Sequence, residues 1–261
     1  MMKKYLIIPI TLVSLLMTGC SQQSQPAHNH SANSSQNTQQ LQKNVNNLQR
    51  QVDTKKAKLK KLHYQLKNSS NLKLSDLNYD GNQEVEVDHN NPHFAPSELN
   101  HKSPWLKFNN LDHLNRATDA NGMLNIKTMP TKKREPLTFN PTGWHNKRIN
   151  NGWLYNRSHL IGYQLCSENN NPKNLITGTR TLNAPLMLYH EDDIANYLKQ
   201  NRNNYVRYQV TPIYRGNELV SRGVQMRAQS VGNNQIHFNV YIFNVEPGYN
   251  IDYQNGYSTK E

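Results

Sequence analysis

The chain has 261 residues, a formal net charge of +12 and a hydrophobic content of 35%. That length suits one compact domain with appendages, and the low apolar content means that much of the chain must be solvated. Its two cysteines, Cys20 and Cys166, exclude a scaffold built on several disulfides.

Met1 to Lys4 form a short basic segment, and Tyr5 to Met17 form an apolar run. A membrane-spanning helix needs about 20 residues, so this shorter run reads as the core of a signal segment. It ends in Leu16-Met17-Thr18-Gly19-Cys20, which resembles a bacterial lipobox with Cys20 as the lipidated residue. Met17 is the less usual residue in that motif, and ordinary secretory cleavage nearby is the alternative. Residues 1–20 are thus expected to be a lipoprotein signal peptide. The mature chain would work on the extracellular face of the membrane or as a secreted protein. With Cys20 so committed, Cys166 reads as a small buried hydrophobe.

Residues 21–40 are Ser, Gln, Asn and His with few apolar side chains, which predicts a disordered tether in which His28 and His30 are solvated. From 41 to 70 the reading is a basic helical stalk. Leu41, Val45, Leu48, Val52, Leu59, Leu62 and Leu66 keep heptad spacing, with Lys55 at the one missing core position. Residues 41–83 carry nine Lys/Arg against three Asp/Glu, a net of +6, whereas 84–261 carry nineteen against fifteen. Such a stalk can pair with a second copy, hold polyanions or touch an anionic surface, or be only a solvated helix face.

Residues 71–261 are expected to form the globular domain, of α+β class with a mixed or antiparallel sheet. Alternating segments predict strands at 84–88, 152–156, 204–214, 223–230 and 235–244. The last three have a meander pattern, with turns at Arg215-Gly216-Asn217 and Gly232-Asn233-Asn234. A helix is predicted from Pro185 to Gln200.

The stretch with chemical content runs from Tyr155 to Glu191. A strand would deliver His159 at its end; a polar loop, a short strand from Leu175 to Thr177, and a helix opening near Asn183 would follow. Phosphodiester hydrolysis needs a base for water, positive charge on the pentavalent transition state and help for the leaving oxygen. A neutral histidine can serve as the base, and a hard cation on oxygen ligands can supply the rest.

This stretch resembles the DNA/RNA non-specific endonucleases of the His-Me finger (ββα-metal) class, most closely their secreted and surface branch in Gram-positive bacteria. The likeness covers roughly residues 72 to 258. It includes Leu74-Ser75-Asp76-Leu77, Tyr79-Asp80-Gly81, Met129-Pro130-Thr131, Pro141-Thr142-Gly143-Trp144-His145 and Val210-Thr211-Pro212-Ile213-Tyr214. The family's Asp-Arg-Gly-His motif corresponds to Asn156-Arg157-Ser158-His159 here. The resemblance implies an embedded ββα-metal motif in which His159 is the general base and Asn183 the direct ligand of Mg2+, with Mn2+ able to substitute. It further implies that Glu191 holds metal-bound water, Asn174 has a supporting catalytic role, and Arg157 contacts phosphate. DNA, and RNA with it, would be the substrate.

Asn156 in place of Asp leaves the imidazole without a neighbouring carboxylate that would raise its pKa. Arg180, Arg134 and Lys133 are further candidates for phosphate contact, or plain surface charge. Asn183 alone could simply cap the helix, and Glu191 alone is a favourable first-turn acid. His145 reads as structural or peripheral to substrate, and the three tryptophans as core residues before base-stacking ones. Two other classes compete with the enzyme. One is a non-catalytic surface lipoprotein that binds nucleic acid; the other is an envelope protein whose coiled coil is the functional part.

Overall fold

The computed structural model describes residues 31–67, 73–100, 103–150 and 152–261. The expected signal segment with Cys20, and residues 21–30 of the expected tether, lie outside them. The chain divides into two compact units, residues 1–60 and 61–261.

The helix α1 spans Ser31–Lys67. It begins ten residues before the expected stalk because the stretch 31–40 contains neither Gly nor Pro to stop it. Leu41, Val45, Leu48 and Val52 are exposed along it. No helix among the described residues is long and apolar enough to cross a membrane.

In the second unit, β1 is Glu84–Glu86, β2 Trp105–Phe108 and β3 Ala120–Leu124. The short strands β4 (Arg148–Ile149) and β5 (Gly152–Trp153) pair with each other, and β6 follows at Tyr155–His159. The brief helix α2 (Tyr163–Cys166) precedes β7 (Leu175–Thr179), and α3 occupies Leu188–Gln200. Then come β8 (Val206–Ile213), β9 (Gly223–Ser230), β10 (His237–Phe243), β11 (Tyr249–Ile251) and β12 (Ser258–Lys260), the last two paired with each other.

The main sheet has the order β1-β10-β9-β8-β3-β2, with every neighbouring pair antiparallel. The predicted meander is therefore present as β8-β9-β10, and the sheet is antiparallel throughout. Its two faces follow directly from alternation. Tyr208 and Val210, Val224 and Met226, and Val240 and Ile242 face one core, joined by Leu160, Ile161, Leu182, Met187, Ile194 and Leu198 from the segments that bear the site. The alternate residues Arg207, Asn121, Gln209 and Asp119 form a hydrogen-bonded polar network. Tyr241 and Phe243 make a smaller cluster with Val87.

Two strands of the main sheet, β2 and β3, lie outside the predicted segments, as do the short β4, β11 and β12. The sequence of β3 contains Asn121-Gly122, which reads as a turn, yet Gly122 pairs with Tyr208 in the sheet interior. A Cβ there would stand 2.9 Å from Leu124 Cδ2 and 3.1 Å from Leu106 Cδ2, so neighbouring side chains fill the space above the glycine.

The helix α3 starts three residues later than predicted. Ala184 is extended (φ −151°, ψ 124°), as the residue before a proline prefers to be, and a wide π-type turn over Leu182–Met187 replaces the first helical turn. Met187 is the residue at the α3 N-cap and makes no side-chain capping bond. Asn183 therefore does not cap α3.

Candidate active site

Strands β6 and β7 pair antiparallel, setting His159 opposite Leu175 and Asn156 opposite Gly178. The chain leaving His159 is clamped by Asn174, which is fully buried. Its amide accepts from the Ile161 N–H at 2.9 Å and donates to the Ile161 carbonyl at 2.9 Å, while its own carbonyl accepts from the Leu160 N–H. With both amide groups committed to Ile161, Asn174 fixes the path of the backbone between His159 and Gly162. Its side chain is thereby taken up inside the fold.

His159 is buried, at 6% relative exposure. Its Nε2 lies 2.7 Å from the Asn169 carbonyl oxygen, so Nε2 carries the proton and donates it. That leaves the lone pair on Nδ1, which sits 3.5 Å from an Arg134 guanidinium nitrogen. Burial pulls the imidazole pKa down to about 4; the Asn169 carbonyl opposes this, and the positive charge of Arg134 adds to it. The ring is neutral throughout the neutral pH range.

Glu191, in the first turn of α3, is buried with its carboxylate accepting from the Gly162 N–H at 2.7 Å. A Cβ on Gly162 would lie 2.2 Å from Glu191 Oε2, so only glycine admits this approach. Burial pushes the carboxyl up to about 8, against the Gly162 hydrogen bond and the nearby Arg134.

His159, Glu191, Asn183, Arg134, Gly162 and Tyr163 line one cleft of about 330 Å³. A second opening of about 760 Å³ is lined by Trp144, Trp153, Asn156 and Arg157, and shares Arg134 and Asn183 with the first. Sequence reasoning thus named four side chains that the fold brings together: His159, Asn183, Glu191 and Arg134. Arg157 is in the neighbouring opening, bonded to Asn140 Oδ1 at 2.7 and 3.1 Å. Arg180 and Lys133 are exposed and line neither opening.

Asn156 lines the larger opening and His159 the smaller cleft. The groups that act on the imidazole are the Asn169 and Glu168 backbone and Arg134. Trp144, Trp153 and Trp105 depart from the core role expected of them: Trp105 is 40% and Trp153 45% exposed, and Trp144 is half-buried. Cys166 is buried as expected, its thiol donating to the Ile161 carbonyl and pushed up to about 12 by burial.

Sequence reasoning missed Asn169, whose backbone contribution leaves no signature in its side chain. Tyr163 was also missed; its hydroxyl donates to the Lys132 carbonyl at 2.9 Å and so holds the segment that carries Arg134.

Among the described residues no group of three or more His, Cys, Asp or Glu side chains is placed to hold a metal. The donors in the smaller cleft are instead an uncharged amide, Asn183, and a buried carboxyl, Glu191. Oxygen donors of this kind suit a hard divalent cation that keeps several waters, and a carboxyl held up near pH 8 by burial is one whose ionisation a cation would restore.

A buried neutral histidine beside an arginine and an oxygen-donor cleft is a set of groups suited to phosphodiester hydrolysis. The profile of the DNA/RNA non-specific endonuclease family matches residues 96–232, and the chain belongs to that family of hydrolases. A deoxyribonuclease of Streptococcus dysgalactiae subsp. equisimilis is 34% identical over 110 residues, 41% of this chain; the match spans only a third of that relative's length. The magnesium-bound crystal structure of NucA from Streptococcus agalactiae superposes with a TM-score of 0.61 at 26% identity, covering 67% of this chain and 86% of that one. A structure described as an extracellular endonuclease gives a TM-score of 0.51 at 26% identity, covering 70% of this chain and all of the other.

Proposed function

We propose that the chain is a metal-dependent, sequence-non-specific endonuclease that hydrolyses DNA, and RNA with it, outside the cytoplasm. In this reading β6, β7 and α3 form a ββα-metal unit. The observation that carries it is the cleft shared by His159, Asn183, Glu191 and Arg134. The magnesium ion in the NucA structure supports the choice of Mg2+, with Mn2+ as a substitute.

His159 acts as the general base through Nδ1, because Nε2 is committed to the Asn169 carbonyl. A ring held near pKa 4 is a weak base when the cleft is empty. The negative charge of an entering phosphodiester raises its proton affinity, so basicity grows where and when it is needed. Arg134, on an exposed segment beside the ring, presents a guanidinium to the phosphate oxygens and stabilises charge that develops on them. Asn183 would hold the cation, and Glu191, fixed by the Gly162 N–H, would orient water beside it. When bound, the cation stabilises the pentavalent phosphorus and the leaving oxygen. Arg157 meets the nucleic-acid backbone in the neighbouring opening, and Arg180 and Lys133 add to the field that attracts it.

At the N-terminus, Cys20 is the lipid anchor, and the exposed heptad stripe of α1 supports self-association through a coiled coil.

The test is nicking of supercoiled plasmid by the purified chain in Mg2+, in excess EDTA, and with Asn183→Ala. Activity in Mg2+ alone, severely reduced by the substitution, is expected. Full activity in EDTA would overturn the metal role, and binding with no cleavage under any metal would leave a non-catalytic nucleic-acid binder.

A further inference from the structure

The larger opening is built from flat aromatic faces and guanidinium groups. Arg157 Cζ lies 4.7 Å from the Trp144 ring centroid, and Arg148 Cζ lies 4.3 Å from that of Trp153. Each arginine covers one face of its indole and leaves positive charge at the rim. Trp153 is 45% exposed although it lines a concavity, and at the same wall His145 stacks on the exposed Tyr257 with ring centroids 3.8 Å apart. Asn156 adds an uncharged amide that both donates and accepts, where a carboxylate would repel a polyanion. The volume of about 760 Å³ falls in the range of small-molecule sites.

A base in intact duplex has both faces covered by its neighbours, so an aromatic wall can stack only on a base that is out of the helix. Arg134 and Asn183 belong to both openings, which places this wall next to the position of the scissile phosphate.

We propose that the opening bounded by Trp144, Trp153, Asn156 and Arg157 is a stacking subsite for an unpaired base adjoining the phosphate at the His159 cleft. The chain then binds single-stranded nucleic acid, and unpaired segments of duplexes, in preference to intact duplex. The inference rests on the hydrolase reading only for the location of that phosphate.

The experiment measures affinity of the full chain for a labelled single-stranded DNA oligonucleotide and for its duplex, in EDTA so that no turnover intervenes. Trp153→Ala, Trp153→Phe and the parent are compared at fixed salt. Stacking of one base on an aromatic side chain predicts a loss of roughly 5- to 150-fold for single strands with Trp153→Ala. Most of that loss should be recovered in Trp153→Phe, and duplex affinity should change less than about twofold. Intrinsic tryptophan fluorescence should be quenched by the single strand and not by the duplex.

Equal losses on both substrates would mean that Trp153 serves general packing or charge placement, and no loss on either would mean that the wall binds nothing; both overturn the proposal. Single-strand preference in a chain that cuts nothing would sink the hydrolase reading and leave the subsite standing. Cleavage of a single-stranded oligonucleotide at sub-saturating concentration, untouched by loss of the indole, would do the reverse.

Discussion

At the scale of single residues, the protonation of His159 is governed by burial and by three neighbours, the Asn169 and Glu168 backbone and Arg134, that sequence proximity does not reveal. A general base must be neutral, so kcat/KM falls as pH drops through the pKa of the free enzyme's imidazole. An unperturbed histidine would set that acidic limb near 6.5. Here the ring titrates at about 4, and the limb is expected well below 6.5 when measured with a short oligonucleotide at saturating Mg2+. Asn156→Asp should leave the limb in place, since residue 156 lines the larger opening and not the His159 cleft, and should raise KM by adding negative charge to the nucleic-acid opening. A limb at or above 6.5, or one displaced upward by that substitution, would contradict this assignment. The family resemblance singled out His159, Asn183 and Glu191, which line one cleft; alone, Asn183 reads as a helix cap and Glu191 as a first-turn acid. Asn169 acts through its carbonyl, which every residue possesses, and therefore could not be read.

At the scale of elements, the β6–β7 hairpin carries a matched pair. Ser158 stands where the family motif has glycine, and its hydroxyl is buried without a hydrogen-bond partner. A Cβ on Gly178 would lie 2.2 Å from Ser158 Oγ and 2.7 Å from Ser158 Cβ, so the glycine accommodates the serine. Gly178→Ala should therefore destabilise by about 1–3 kcal/mol through overpacking. Ser158→Gly in the Gly178→Ala background should recover most of the loss. Ser158→Ala, which removes an unsatisfied hydroxyl, should be neutral or stabilising by about 1 kcal/mol. Denaturant midpoints of these proteins, with Ser158→Gly alone and the parent, check this; additive effects of the pair would disprove the compensation. Strands β8 and β9 were legible because alternate residues pack on a core, and β10 because an apolar run bounded by turns reads as a strand even when both its faces are buried. By contrast β3 was hidden by its Asn121-Gly122, and the late start of α3 by the conflict between Pro185 as a helix opener and its effect on Ala184.

At the scale of the whole molecule, charge is distributed unevenly along the sequence. Residues 41–83 hold half of the net +12, much of it on α1, and phosphate contacts lose affinity steeply with salt. A chain beginning near residue 71 is expected to keep its turnover number on a short oligonucleotide and to bind long DNA less tightly at low salt, with a shallower salt slope. Unchanged affinity and slope would reduce the helix to a spacer. The central claim, that His159 delivers hydrolysis, is tested most directly by single-turnover cleavage of plasmid DNA by His159→Ala beside the parent, with DNA affinity measured on both. General-base catalysis contributes about 10²–10⁴-fold, so the variant should cleave at least ~100-fold more slowly while affinity for DNA is retained. Cleavage near the parental rate would contradict the account.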